Sequence, residues 1–321
     1  MINLYLHTYS LRCHFQYLDG FDVFTFIDRA ASLGFTGVSI SANGPGYRHL
    51  GGTDTKHFDR VRERIASLNL LCDMDTSGTS PDHLETMIGV ARAISAAQVR
   101  TYTRHTGTPE EMVSLTTDDL LAVAPIAEEA GVTIMLENHE NFTGDQIARI
   151  LEQVDSPRVR ALYDYGNSMM VLEHPFDALA AMAPLSANAH LKDHLMISPE
   201  DSPDGKLSVL GVPIGQGNLP IIEITRRLLD AGLRNITFEN VWGYRAAVKA
   251  TPDRSATLGE GVFAIESPPF DPARCLLDIA ALAANDPQKL IELEAAAMDD
   301  GLNWLNNELE RSRISITKSH G

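Results

Sequence analysis

Three short apolar runs near the middle of the chain each close on a chemically active side chain, and they restrict the fold more than any other feature. Val132-Thr-Ile-Met-Leu-Glu137 is entered from Gly131 and ends on a carboxylate, Val159-Arg-Ala-Leu-Tyr-Asp164 repeats the pattern, and Ala187-Asn-Ala-His190 ends on an imidazole. Brief runs of β-branched and apolar residues bounded by turn residues read as buried strands. The segments between them hold one helix each, which is the period of a β–α repeat. In a parallel barrel the C-terminal strand ends open into one mouth, so Glu137, Asp164 and His190 are expected to converge there.

The remaining chain extends this repeat. Ile2–His7, Gly37–Ile40, Leu70–Met74 and Val99–Arg104 read as strands before it, and Asn235–Glu239 as an eighth strand ending on another carboxylate. Helical spacing marks Asp22–Leu33 with a glycine exit at Gly34, then Phe58–Leu68, Pro81–Ala97 and Thr117–Ala130. Thr143-Gly-Asp-Gln146 has the spacing of a capping box for the next helix, followed by helices over Pro175–Met182 and Ile221–Leu229. Strand seven is expected over Ala187–Asp193, and His194–Leu219, rich in Gly, Pro and Asp, as a functional loop. Asn240–Pro269 is expected to cover the barrel mouth, and Pro272–Ala284 and Pro287–Arg313 to be helical. The expected architecture is an α/β fold, a (β/α)8 TIM barrel over residues 1–270, with residues 271–321 as a C-terminal helical extension packed on the same domain.

Composition narrows the partners. The formal charge is -17, from 26 Lys plus Arg against 43 Asp plus Glu. This disfavours nonspecific binding to nucleic acid or an anionic membrane. Cys13, Cys72 and Cys275 show no CxxC spacing and are odd in number, which fits ordinary thiols in a reducing compartment. With no basic-then-apolar leader and no long apolar run, the expected location is cytoplasmic, away from membranes. Composition leaves a homo-oligomer open.

Glu137, Asp164, His190 and Glu239 offer three oxygen donors and one nitrogen donor to the mouth. Such a set suits one divalent cation, Mn2+ with Mg2+ or Co2+ as substitutes, better than a structural zinc. Without an ion, carboxylates this close would repel one another and hold protons. A strand-end acid can instead serve as a helix cap, but four at repeat spacing favour the metal reading.

Leu136-Glu-Asn138, Tyr163-Asp-Tyr-Gly-Asn167, His190-Leu-Lys-Asp193, Gly215-Gln-Gly217 and Phe238-Glu239 resemble the xylose isomerase-like TIM-barrel superfamily, particularly its sugar isomerase and epimerase branch. The resemblance spans the chain from the Leu6-His7 strand end to Glu239. It implies that Glu137, Asp164, His190 and Glu239 bind the ion, and that Glu137 and Glu239 act as acid and base on opposite faces of the substrate. The implied reaction is isomerisation or epimerisation of a keto sugar or sugar acid through an enediolate. The same superfamily implies alternatives: decarboxylation of a 3-oxo sugar acid, C-glycoside cleavage, dehydration, and abasic-site DNA cleavage. The strong negative charge argues against the last of these. A sugar-binding protein without catalysis is the remaining class.

Several residues bear on substrate recognition. Arg104 ends strand four and either grips a substrate carboxylate with two prongs or pairs with a neighbouring acid. Lys192 lies two residues past His190, and Arg245 sits in the late loop. His139 follows the Glu137 strand as a proton donor, a substrate ligand or a loop hydrogen-bonding group. His7 and His57 are candidates for substrate hydroxyls. Trp242 and Tyr17 are either an apolar floor for a sugar ring or ordinary packing. The expected ligand is a small carbohydrate or sugar acid.

Overall fold

The computed structural model describes residues 1–249 and 257–317. Residues 250–256 of the expected mouth loop and 318–321 lie outside them. The strands in chain order are β1 (Asn3–His7), β2 (Gly37–Ser41), β3 (Leu71–Asp75), β4 (Gln98–Thr101), β5 (Thr133–Glu137), β6 (Val159–Asp164), β7 (Ser186–Leu191), β8 (Asp193–Ile197), β9 (Ser208–Val212), β10 (Asn235–Phe238), β11 (Arg245–Ala247) and β12 (Ile265–Glu266). Eight of them close a barrel in the order β1-β10-β7-β6-β5-β4-β3-β2, with every neighbouring pair parallel. Parallel closure requires a crossover between strands, and helices supply it around the outside.

Local chemistry starts and stops these helices. Thr143 accepts the Gln146 backbone N–H while the Gln146 side chain accepts that of Thr143, so the expected capping box opens the helix Gly144–Val154. That helix buries Ile147, Ile150, Leu151 and Val154, one stripe at helical spacing, against the barrel. The helix Pro109–Ala130 begins about two turns before the expected Thr117, because Thr108 and Glu111 form a second capping box and Pro109 is compatible with a first turn. Gly131 then ends it in the left-handed conformation, φ 70°, that glycine adopts without a Cβ penalty.

Three expectations are corrected. Strand seven ends at Leu191 and not at Asp193, because the chain leaves the barrel at Lys192 and starts β8. The expected loop His194–Leu219 holds β8 and β9, which pair antiparallel, and with β11 and β12 they form a four-stranded sheet in the order β11-β9-β8-β12. The apolar residues Leu195, Ile197, Leu210 and Val212 pack against Cys275, so burial overrides the loop-like composition of their flanks. The expected helix Pro272–Ala284 narrows to Ile279–Asn285. Residues before it turn instead: the Asp271 carboxylate accepts the Ala273 N–H at 2.9 Å, and the Pro272 carbonyl accepts the Trp242 indole N–H at 2.9 Å. The last helix runs from Pro287 to Arg311 and buries Leu290, Leu293, Ala297 and Leu305.

The floor of the barrel is polar as well as closed. Asp73 on β3, 1 % exposed, accepts a 2.8 Å hydrogen bond from Asn188 on β7. Burial, reinforced by neighbouring Asp75, pushes its carboxyl up to about 7 against the lowering effect of Asn188. Because the folded value lies above the unfolded one, the folded state binds the extra proton between about pH 4 and 7. Stability is therefore greatest below this window and falls as pH rises through it. Asp73→Asn is expected to flatten that decline, as read by denaturant titrations at pH 5 and pH 8. Equal declines in both proteins would show that Asp73 does not titrate there.

Candidate metal centre

The residues at the C-terminal strand ends are held so that each keeps one polar atom anchored and aims another inward. Asp164 Oδ1 accepts the backbone N–H groups of Gly166 and Asn167, both at 2.9 Å, which turns Oδ2 toward the centre. This is the local reason for the Asp-Tyr-Gly-Asn turn. Asn138 pins the same strand end, its Oδ1 accepting the Asp164 N–H at 2.8 Å. Glu137 Oε2 is ion-paired to Arg100 on β4, and its Oε1 lies 3.3 Å from His190 Nδ1. Asp164 Oδ2 and Glu239 Oε2 lie 3.9 Å and 3.7 Å from that same nitrogen. On the other side of the ring, His190 Nε2 is 3.6 Å from Asp75 Oδ1, so Asp75 orients the imidazole.

The donor atoms fit a divalent cation. Glu137 Oε1 and His190 Nδ1 are buried without a hydrogen bond of proper geometry, Asp164 Oδ2 and Glu239 Oε2 are met only by the Lys192 ammonium, and the three carboxylate oxygens all lie within 3.9 Å of His190 Nδ1. A buried polar atom left in this way is costly unless something else satisfies it. The ligand atoms of Glu137, Asp164 and His190 lie within 4.8 Å of one another, as do those of His7, Asp75 and His190. In the second group His7 Nε2 sits 3.2 Å from Asp75 Oδ2, which also accepts the Ser39 hydroxyl, so that oxygen is already engaged. The first group, with Glu239 beside it, is the candidate cation site.

Two cations neutralise this acidic cluster, and one was not singled out from sequence. Lys192 Nζ stands 2.7 Å from Asp164 Oδ2 and 2.6 Å from Glu239 Oε2. Arg100, beside Glu137, also lies 3.9 Å from Asp75. Arg100 and Asp75 carry a signal that alternation supplies: Arg100 shares a strand face with Tyr102 and Asp75 with Asp73, and both pairs point into the barrel. Burial by itself would raise the Glu137 and Glu239 carboxyls. Arg100 outweighs it at Glu137, and Lys192, His190 and His7 outweigh it at Glu239, so both are held well below the usual carboxylate range. Asp164 differs, for burial and its two acidic neighbours prevail over Lys192 and push it up to about 6.

Above the donors is a cavity of about 320 Å³, whose walls include His7, Arg100, Tyr102, Arg104, His139, Lys192, Glu239 and Tyr244. His7, Lys192, His139 and Arg104 thus meet at the mouth. His139 stacks on Tyr102 with ring centroids 3.8 Å apart, and burial lowers its imidazole to about 4, which keeps it neutral. Asp193, the last residue of the His-Leu-Lys-Asp motif, accepts N–H groups from Gly215 and Gly217 at 2.9 Å and so folds the Gly-Gln-Gly turn beside the site.

Three candidates lie elsewhere. His57 is buried in the helix Thr55–Ser67, its Nε2 at 2.7 Å from the Leu50 carbonyl. Trp242 is fully buried among Cys13, Leu290, Leu293 and Ala297, with half-buried Tyr17 packed on the same cluster. Both anchor the C-terminal helix rather than floor the mouth. Arg245 sits on β11 and pairs with Asp204 at 2.8 Å.

A family model described as xylose isomerase-like TIM barrel matches residues 27–262. The chain belongs to this family. Among characterised and uncharacterised relatives, it is 26 % identical to the uncharacterised protein YihM of Escherichia coli K12 over 229 residues, 71 % of this chain and 69 % of that one. It is 27 % identical to a 3-oxo-isoapionate decarboxylase of Pectobacterium atrosepticum over 139 residues, 42 % of this chain and about half (49 %) of that one. Its fold is similar to a D-psicose 3-epimerase crystallised with D-fructose (TM-score 0.63, 11 % identity, covering 96 % and 98 % of the two chains). A D-psicose 3-epimerase from Clostridium cellulolyticum H10 is alike to the same degree (TM-score 0.61, 14 % identity, 94 % and 99 %). A family barrel from Mycobacterium smegmatis solved with magnesium gives a TM-score of 0.53 at 16 % identity, covering 86 % and 89 %. At these identities the likeness is one of fold. Among the described residues no helix is long and apolar enough to cross a membrane.

Proposed function

We propose that this protein is a divalent-metal-dependent isomerase or epimerase that moves a proton on a keto sugar or sugar acid by way of an enediolate. The reading is carried by the gathering of carboxylate oxygens from Glu137, Asp164 and Glu239 within 3.9 Å of His190 Nδ1, below a polar cavity of about 320 Å³. Glu137, Asp164, His190 and Glu239 would hold the ion, and the oxygen-rich set suits Mn2+, Mg2+ or Co2+. A bound divalent ion supplies polarisation of a carbonyl and its neighbouring hydroxyl, lowering the cost of removing the proton between them.

The chain's own residues then divide the work unequally. Glu239 lines the cavity, whereas Glu137 is fully buried beside Arg100. Glu239, held ionised, is the base placed to take the proton from the substrate carbon. Returning it to the adjacent carbon on the same face needs no second base and gives aldose–ketose isomerisation. Epimerisation requires a proton donor on the opposite face, and Glu137, which Arg100 holds ionised, fills that role only after it has itself taken up a proton. His139 offers a hydrogen bond to a substrate hydroxyl, whereas His7 Nδ1 already accepts the Tyr9 N–H and its Nε2 faces Asp75, and Lys192 keeps Glu239 and Asp164 oriented.

The alternative is decarboxylation of a 3-oxo sugar acid, which would yield the same enediolate and is favoured by the similarity to the 3-oxo-isoapionate decarboxylase. The two are separated by incubating the metal-loaded protein in D2O with keto sugars and 3-oxo sugar acids, then removing the ion before NMR. Deuterium entering the carbon beside the carbonyl, together with isomer formation that stops on chelation, supports the first reading. Release of carbon dioxide with no exchange into any keto sugar overturns it in favour of the second.

A further inference from the structure

We propose that Arg104 binds the carboxylate of the substrate at the rim of the mouth, so that the natural substrate is a sugar acid whose carboxylate lies remote from the reacting carbons and is retained in the product. This deepens the isomerase reading and rests on it.

Most cations at the mouth already face a carboxylate. Arg100 is committed to Glu137 and Lys192 to Asp164 and Glu239, and Lys249 pairs with Glu140 at 2.8 Å. Arg104 has no carboxylate partner among the described residues. Its Nη2 donates to the Tyr102 hydroxyl at 2.8 Å and to Ser77 Oγ at 3.4 Å, both neutral acceptors. The guanidinium carbon lies 4.8 Å from the centroid of the Tyr102 ring, which holds the plane in place and leaves the remaining N–H groups for a ligand. A fixed fork of this kind matches a carboxylate in two-pronged geometry.

Position along the strand decides which carboxylate is meant. Arg100, Tyr102 and Arg104 alternate on one side of a chain that stays extended beyond β4: the Arg100 carbonyl accepts the Thr76 N–H at 2.8 Å and the Tyr102 carbonyl the Gly78 N–H at 2.9 Å. Each pair of residues advances roughly 7 Å in such a chain. Arg100 is at the level of Glu137, so Arg104 stands well above the donor set. It is also where the mouth cavity meets an adjoining groove of about 360 Å³ that shares Tyr102, Arg104, His139 and Glu140. A carboxylate lost as carbon dioxide must sit on the carbon next to the polarised carbonyl, beside the donors, where both cations are committed. A carboxylate held by Arg104 is at the other end of the sugar chain.

Binding without turnover tests this. Titration calorimetry on the full-length, Mg2+-loaded protein would compare galacturonate with galactose and gluconate with sorbitol, for the unsubstituted protein, Arg104→Gln and Arg104→Lys. The acids are expected to bind about 10- to 100-fold more tightly than their neutral counterparts, with the preference lost in Arg104→Gln and partly kept in Arg104→Lys. Added salt should weaken the acids alone. Equal affinity for acid and neutral partners, no measurable binding of either acid, or a preference that survives Arg104→Gln in a protein with unchanged thermal unfolding would each overturn the proposal. Arg104-dependent acid binding with no proton exchange would keep Arg104 as the carboxylate site and remove the isomerase reading, together with the retained carboxylate that rests on it. Exchange into neutral sugars with no acid preference would do the reverse.

Discussion

Glu239→Gln is expected to lower the rate of substrate proton exchange by about a hundred- to ten-thousand-fold, the range lost when a positioned general base is removed. The amide keeps the shape of the side chain and one oxygen that faces the centre, but it cannot accept the proton. It also leaves Lys192 bound only to Asp164 among its two present partners. Exchange in D2O measured by NMR gives the rate, and metal content by mass spectrometry tells loss of the base from loss of the ion. A rate within threefold of the unsubstituted protein, with metal retained, would remove Glu239 from the chemistry. Glu137→Gln should behave differently, since Glu137 is fully buried and its partner Arg100 would keep only the more distant Asp75, 3.9 Å away, as a counter-charge. Its expected first effect is on metal content and stability.

Glu294→Ala carries the largest expected stability loss. This carboxylate, fully buried on the C-terminal helix, accepts the Cys13 N–H at 2.9 Å and the His14 N–H at 3.1 Å. It also lies 2.7 Å from His14 Nδ1 and 3.7 Å from Arg12 Nη1. It therefore ties the last helix to the segment that follows His7 and Tyr9. The backbone carbonyl of Glu294 accepts Asn240 Nδ2 at 3.3 Å, next to Glu239. Removing one partner of such a buried ionic group costs about 3–5 kcal/mol, which corresponds to a fall in Tm on the order of 10 °C. Thermal and urea unfolding would measure it. A change below about 1 kcal/mol would show that the cluster is solvated in solution. We further expect the C-terminal helices and the barrel to unfold in one transition, because these contacts join them through the site.

The sequence by itself determined the repeat and where its chemistry would gather. Strand period, capping pairs such as Thr143 with Gln146, and glycine exits are relations between near neighbours, and parallel closure then sends Glu137, Asp164, His190 and Glu239 to one mouth regardless of packing detail. The tertiary structure alone decided the pairings. Alternation points Arg100 and Asp75 inward, but only register across the barrel sets Arg100 against Glu137 and turns Asp75 toward His190. Burial, which no local pattern encodes, drew the stretch after Lys192 into a second sheet and Trp242 under the last helix, and among the described residues it left Arg104 at the rim without an acid to meet it. A residue's face along a strand is a local property, whereas its partner depends on how distant segments close the barrel.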